Sequence, residues 1–253
     1  MKLGRLPRAY NPAVPHLSAL KKLAKPIAIP EKINYADGMP DDLGVMLNDD
    51  LGDCTCAAYF HALQVWSHHT NKTHGMITEP DKDVLKLYQE ACGYSGTSET
   101  DQGGVEQGVL SYLLNTGAPT GFNSETRHKL RSFVEVDVRN LHDVKQCIYE
   151  TGCAYIGIEV PDNIMAEQIP YIWDVVKGSQ IEGGHAIILT GYDKNGFDLI
   201  SWGTKYRMSN KFFKAYCDEA YALCDIDWLL GTGKTLLGLP MAQLIEQVKY
   251  LKK

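Results

Sequence analysis

NDDLGDCTCAAYFHALQVW, Asn48 to Trp66, places two thiols, Cys54 and Cys56, two residues apart and then continues without Gly or Pro. The run of helix formers predicts one helix from about Cys54 to His69, with Asp53 just ahead of it as the N-cap. Residues two apart on a helix point about 200° apart around the axis, so these thiols cannot share a face. Cys54 falls in the first turn, where free N–H groups and the helix dipole favour an anion and make a thiol a usable nucleophile. The adjacent Asp53 charge opposes this. Cys56 lines up with Phe60 and Leu63 as core. Two small buried cysteines are the competing outcome, because free cysteine often packs as a small hydrophobe. Zinc fits poorly: structural zinc thiols are usually spaced by about two to four residues and come in pairs of pairs. No metal ligand set and no cofactor are read from the sequence.

The surrounding chain has 253 residues, 44% hydrophobic and 22% charged, with a net charge of −6. That is ordinary for a globular protein and gives no reason to expect nucleic acid as a partner. Residues 1–29 are the exception to the even charge mixture. They carry Lys2, Arg5, Arg8, Lys21, Lys22 and Lys25, no acid, and several prolines. They predict an extended basic arm over the surface. No apolar core of a secretory signal follows the basic residues, and no run is long enough to span a bilayer. Seven cysteines at irregular spacing predict reduced thiols in a cytoplasmic setting.

Further helices are predicted over Pro80–Ala91, Val105–Asn115, His142–Thr151 and Asn210–Leu223, with an amphipathic tail from Met241 to Leu251. CAYIGIEV (Cys153–Val160), HAIILTGYD (His185–Asp193) and GFDLISWG (Gly196–Gly203) predict strands. Asn195-Gly196 marks a hairpin tip between the last two. LLGTGKTLL (Leu229–Leu237) imitates a phosphate-binding loop but has Trp228 where its first glycine must stand, and it is read as a turn. Helices in front and an antiparallel sheet behind predict an α+β protein in two halves.

A cysteine nucleophile needs a base, and His185 in EGGHAIILTGYD is the best candidate. Gly183 and Gly184 let backbone approach a ligand, and a strand fixes the imidazole. His185 lies 131 residues after Cys54, within the roughly 130–150 residue spacing of papain-type enzymes. At this point the chain resembles the papain-like cysteine peptidases, of an uncharacterised bacterial or phage-borne type. The segment from Ile29 through Ala62 is similar to the family's mature start. Asn48, six residues before Cys54, stands where the family has its oxyanion glutamine, whereas alignment on Cys56 would put Asp50 there. TDQGGVEQGVLSYLLNTG (Thr100–Gly117) resembles the substrate-binding Gly-Gly segment, DVKQCIYETGCAYIGIEV the entry to the sheet half, GGHAIILTGYD the histidine strand and LISWGT the Trp-Gly segment.

The resemblance implies a papain-like domain over residues 30–225, with a helical half at about 51–120 and a sheet half at about 134–204. Residues 226–253 are an extension packed on it. It implies Cys54 as nucleophile, His185 as base and Asn48 as oxyanion donor. Gly103, Gly104, Gly184 and Trp202 would line the cleft that takes a peptide or protein substrate. The family's orienting asparagine falls on Ile200, which leaves Ser201 (favoured), Asp198 or a backbone carbonyl to hold His185. Leu51 replaces a disulfide cysteine, and the arm is too short for the usual inhibitory pro-region. The expected activity is hydrolysis of peptide or isopeptide bonds. The alternatives are another acyl-group enzyme (amidase, deamidase or transferase) and an inactive papain-fold binding or structural protein.

Overall fold

The computed structural model describes residues 1–71, 73, 75–121, 126–166 and 168–251. In chain order it contains α1 (Leu17–Leu20), β1 (Ile33–Asn34), α2 (Cys54–Thr70), α3 (Asp81–Cys92), α4 (Glu106–Asn115), β2 (Ala118–Thr120), β3 (Thr126–His128), β4 (Ser132–Glu135) and α5 (Leu141–Thr151). Next come β5 (Ala154–Pro161), β6 (Ile172–Trp173), β7 (Ile181–Tyr192), β8 (Gly196–Ser201), β9 (Thr204–Ser209), α6 (Asn210–Tyr216), β10 (Cys217–Cys224), α7 (Ile226–Thr232) and α8 (Met241–Gln247).

The main sheet runs β4-β10-β5-β7-β8-β9-β6, with β1 added to β7. All its pairs are antiparallel except β6 with β9. The fold is α+β, with helices dominating residues 54–115 and the sheet dominating residues 132–224. β5 and β7 sit mid-sheet, and their facing residues Ile156, Ile158, Ile187 and Ile188 are buried. This explains their nearly unbroken apolar composition. α2 packs on β7, and this brings the two halves together.

Two elements depart from the sequence reading. The stretch expected as a single helix, Asn210–Leu223, splits at Tyr216. Ser209 caps α6 through its side chain, and Cys217–Cys224 then forms β10 between β4 and β5. A strand buried on both faces shows no alternation, so its run of apolar residues imitates a helix. The sheet half therefore reaches from Ser132 to Cys224, beyond the expected limits. In LLGTGKTLL, Leu229–Thr232 is the end of α7, and Gly233 closes it at φ 71°. The glycine stops a helix here, whereas a phosphate loop leads into one.

The C-terminal extension packs on the domain. The Trp228 indole donates to Glu150 O at 2.7 Å, Leu237 N donates to Glu150, and Ser132 Oγ donates to Leu244 O. The last two residues of the extension lie outside those described. Among the described residues, no helix is long and apolar enough to cross a membrane.

Candidate active site

Cys54 opens α2 and His185 lies on β7, and the packing of these two elements brings them together. Ala186 N donates to Cys54 Sγ at 3.4 Å. On the other side of the imidazole, His185 Nε2 lies 2.8 Å from Ser201 Oγ at the end of β8. Trp202 stacks on the imidazole at 4.3 Å between centroids, with its backbone at φ 47°. The ring is thus held from its edge by Ser201 and from its face by Trp202. His185 Nδ1 is buried and takes no hydrogen bond. Because Nε2 is engaged by Ser201, Nδ1 is the nitrogen left without a partner. Ile200 is fully buried, and Asp198 turns away to pair with Arg207.

Asn48 is buried after a turn in which Met46 and Leu47 have positive φ. Its Nδ2 donates to Leu51 O at 3.0 Å and to Lys2 O at 3.4 Å, and Trp202 Nε1 donates to the same Lys2 carbonyl. Asp53 precedes α2 but makes no side-chain cap, and neither of its carboxyl oxygens has a hydrogen-bond partner. Burial pushes its carboxyl well above the usual range.

Composition places the whole arm over the surface, but its first residues leave it. Residues 2–6 thread the cleft. Gly104 N donates to Gly4 O at 2.8 Å, Leu6 N to Gly104 O at 2.9 Å and Arg5 N to Gly184 O at 3.0 Å. Arg5 and Gly104 form a parallel bridge. Glycine is required at these crossings. A Cβ on Gly103 would stand 1.9 Å from Gly4 O, and one on Gly184 would stand 2.4 Å from Arg5 O. Gly104 and Gly184 thus bond a peptide backbone for which Gly103 leaves room, and it is the chain's own.

The Arg5 side chain enters a pocket that a Cβ on Gly157 would close. Its guanidinium meets Glu219 Oε1 at 2.5 Å and Asp218 Oδ2 at 2.8 Å. Burial would discharge Arg5, but the carboxylates of Glu106, Asp218 and Glu219 outweigh it and raise its pKa. Glu106 is fully buried without a hydrogen bond, and burial drives its carboxyl well above the usual range. Lys2 pairs with Asp101 and Arg8 with Glu135. The sequence reading missed Arg5, Glu106 and Glu219. The one signal available was an arm with no acid in a chain of net negative charge.

Under this cover Cys54 and His185 are each 1% exposed. Burial pushes the Cys54 thiol up to about 12, aided by Asp53 and Glu106 and opposed by the backbone groups of Ala186 and Gly4. Burial, then Arg5 and His61, lowers His185 to about 3. The expectation of a lowered thiol pKa at the helix start fails in this covered state, because desolvation exceeds the help of the free N–H groups. The pair rests as thiol and neutral imidazole. Cys56 is fully buried. Among the described residues every cysteine is free.

Solved structures share the architecture. Xylellain, a cysteine protease from Xylella fastidiosa, aligns over 88% of this chain and 96% of its own, at TM-score 0.66 and 16% identity. Procathepsin B S9 from Trypanosoma congolense aligns over 89% and 87%, at 0.60 and 11%. The cysteine protease and lectin-like domains of Cwp84, a surface-layer-associated protein of Clostridium difficile, align over 79% of this chain and 52% of that one, at 0.58 and 13%. No family model and no curated protein matches the sequence. The chain has a papain-like fold.

Proposed function

We propose that the protein is a cysteine peptidase acting on peptide or isopeptide bonds, held latent by its own N-terminal arm. One observation carries this reading. A helix that starts at a thiol packs on the strand whose imidazole is held by Ser201 and Trp202, beside a cleft whose glycines already bind an extended backbone. In the open enzyme His185 Nδ1 takes the Cys54 proton and the thiolate attacks the substrate carbonyl carbon. The oxyanion takes hydrogen bonds from Asn48 Nδ2 and the Cys54 backbone N–H. The imidazolium then protonates the leaving amine, and water releases the acyl group by the reverse sequence. One oxyanion donor is worth about 3 kcal/mol in such a reaction.

The arm binds through its backbone: Gly4 O accepts from Gly104 N, and Lys2 O accepts from Asn48 Nδ2 and Trp202 Nε1. The acidic pocket that takes Arg5 defines the substrate class, namely peptides that place a basic side chain there once the arm has left.

The test compares the intact chain with a variant lacking residues 1–8, under reducing conditions. A thiol-reactive peptide electrophile with arginine as its pocket residue should label Cys54 in the truncated protein and spare it in the intact one. A truncated protein that is folded, but neither labels at Cys54 nor turns over any peptide, amide or ester, is an inactive papain-fold binding protein.

A further inference from the structure

The C-terminal half of α2, remote from the thiol, borders a cavity of about 460 Å³ lined among others by Trp66, Thr70, Glu79, His128, Asp225 and Asp227. His128 Nε2 lies 3.3 Å from Asp225 Oδ2 and 3.4 Å from Asp227 Oδ2. All three donor atoms lie within 4.8 Å of one another.

The cluster leaves one buried oxygen without a hydrogen bond. Asp225 Oδ1 caps α7 by accepting the Trp228 N–H at 2.9 Å. Its Oδ2 is buried, on a side chain with no exposed surface, and accepts no hydrogen bond. The hydrogen bond of His128 Nε2 goes to Asp227 instead. A buried carboxylate oxygen without a hydrogen bond costs free energy that a folded protein ordinarily avoids. The other face of the imidazole is fixed, because Nδ1 lies 2.9 Å from the hydroxyl of fully buried Tyr59. A ligating histidine is oriented in this way by a partner on its second nitrogen. The two separations also have a specific size. Ligands about 2.0–2.1 Å from one ion at tetrahedral angles stand about 3.3–3.4 Å apart.

We propose that His128, Asp225 and Asp227 bind a divalent transition-metal cation of the zinc or manganese kind, with an open coordination position facing the cavity. The nitrogen and oxygen donors suit such an ion and not a thiophilic one. The ligands come from β3 and from the start of α7, nearly a hundred residues apart. The ion ties the small β2–β3 sheet to the end of the main sheet, and it exists as a site only in the folded chain.

The test uses metal-free full-length protein titrated with Co2+ and with Zn2+. The wild type takes up one equivalent of each with a rise in melting temperature, and the bound Co2+ shows d–d absorption without thiolate charge-transfer bands. Asp227→Asn changes an exposed group and keeps its shape, so the metal-free variant melts like wild type and binds both ions at least tenfold more weakly. His128→Gln behaves the same way toward the ions. Absence of a one-equivalent site in the wild type overturns the assignment. So do thiolate bands in the Co2+ spectrum, or affinities left unchanged by both substitutions.

Discussion

Ser201 Oγ lies 2.8 Å from His185 Nε2, and in the proposed enzyme it orients the imidazole. Ser201→Ala leaves Trp202 stacked on the ring but frees its rotation. One hydrogen bond of this kind is worth about 1–1.5 kcal/mol, so turnover of the truncated enzyme should fall about tenfold. The melting temperature should stay near wild type. Asp198→Ala should leave turnover within twofold, because Asp198 serves Arg207. Steady-state kinetics on both variants checks this. The imidazole itself should also respond to the arm. In the covered chain the His185 pKa lies at about 3, by burial first and then by Arg5 and His61. Removing residues 1–8 removes part of both causes, and NMR titration should find the imidazole at least one unit higher. The covered state binds fewer protons at His185 than the open one, so acidification toward the covered value of about 3 weakens arm docking through this group. The elements that carry Cys54 and His185 were legible in the sequence because local signals mark them: a helix start and a Gly-Gly strand. Ser201 was favoured over Asp198 only for its place beside Trp202, because the choice depends on which way the end of β8 turns. The raised thiol pKa was illegible, since it comes first from burial, which only the folded chain imposes.

Among the elements, the arm is held by backbone pairing and by one buried cation. Arg5 is 3% exposed in its side chain and sits against Glu219, which is fully buried. Removing one partner of a buried charge pair costs about 3–5 kcal/mol. Arg5→Ala should therefore shift the arm toward the open state and accelerate iodoacetamide labelling of Cys54 at least tenfold, as followed by peptide mapping. Gly4→Ala tests the backbone by itself. A Cβ there would lie 1.9 Å from Gly52 O, which no side-chain adjustment relieves. It should release the arm as fully as truncation does, with every cleft residue intact. A labelling rate equal to wild type in both variants would show that the arm does not gate the thiol. The sequence announced the arm as basic, extended and proline-bearing, but not its place, because the acids that receive it are scattered over α4 and β10. β10 itself was hidden. Glu219 stood in a stretch read as helix, since a strand buried on both faces has no period to reveal it.

Across the protein, the two halves of the fold were legible because each announces itself by composition, while the pocket between them is assembled by topology. β10 enters the middle of the sheet beside β5 and carries Glu219 to the pocket that Gly157 leaves open, and α4 brings Glu106 from the helical half. No contiguous stretch could encode that meeting. The pocket concentrates acids in a site with low exposure, so an occupant that leaves must be replaced by another cation or by water. With the arm deleted, fluorogenic peptides bearing arginine at the pocket position should therefore be cleaved with at least tenfold higher kcat/KM than peptides bearing leucine there, and glutamate should be refused. Glu219→Gln should reduce the preference for arginine over leucine while preserving turnover of the leucine peptide, because the thiol and imidazole are untouched. Equal rates for arginine and leucine in the active truncated enzyme would mean that the pocket serves the arm alone and that substrates are chosen elsewhere in the cleft.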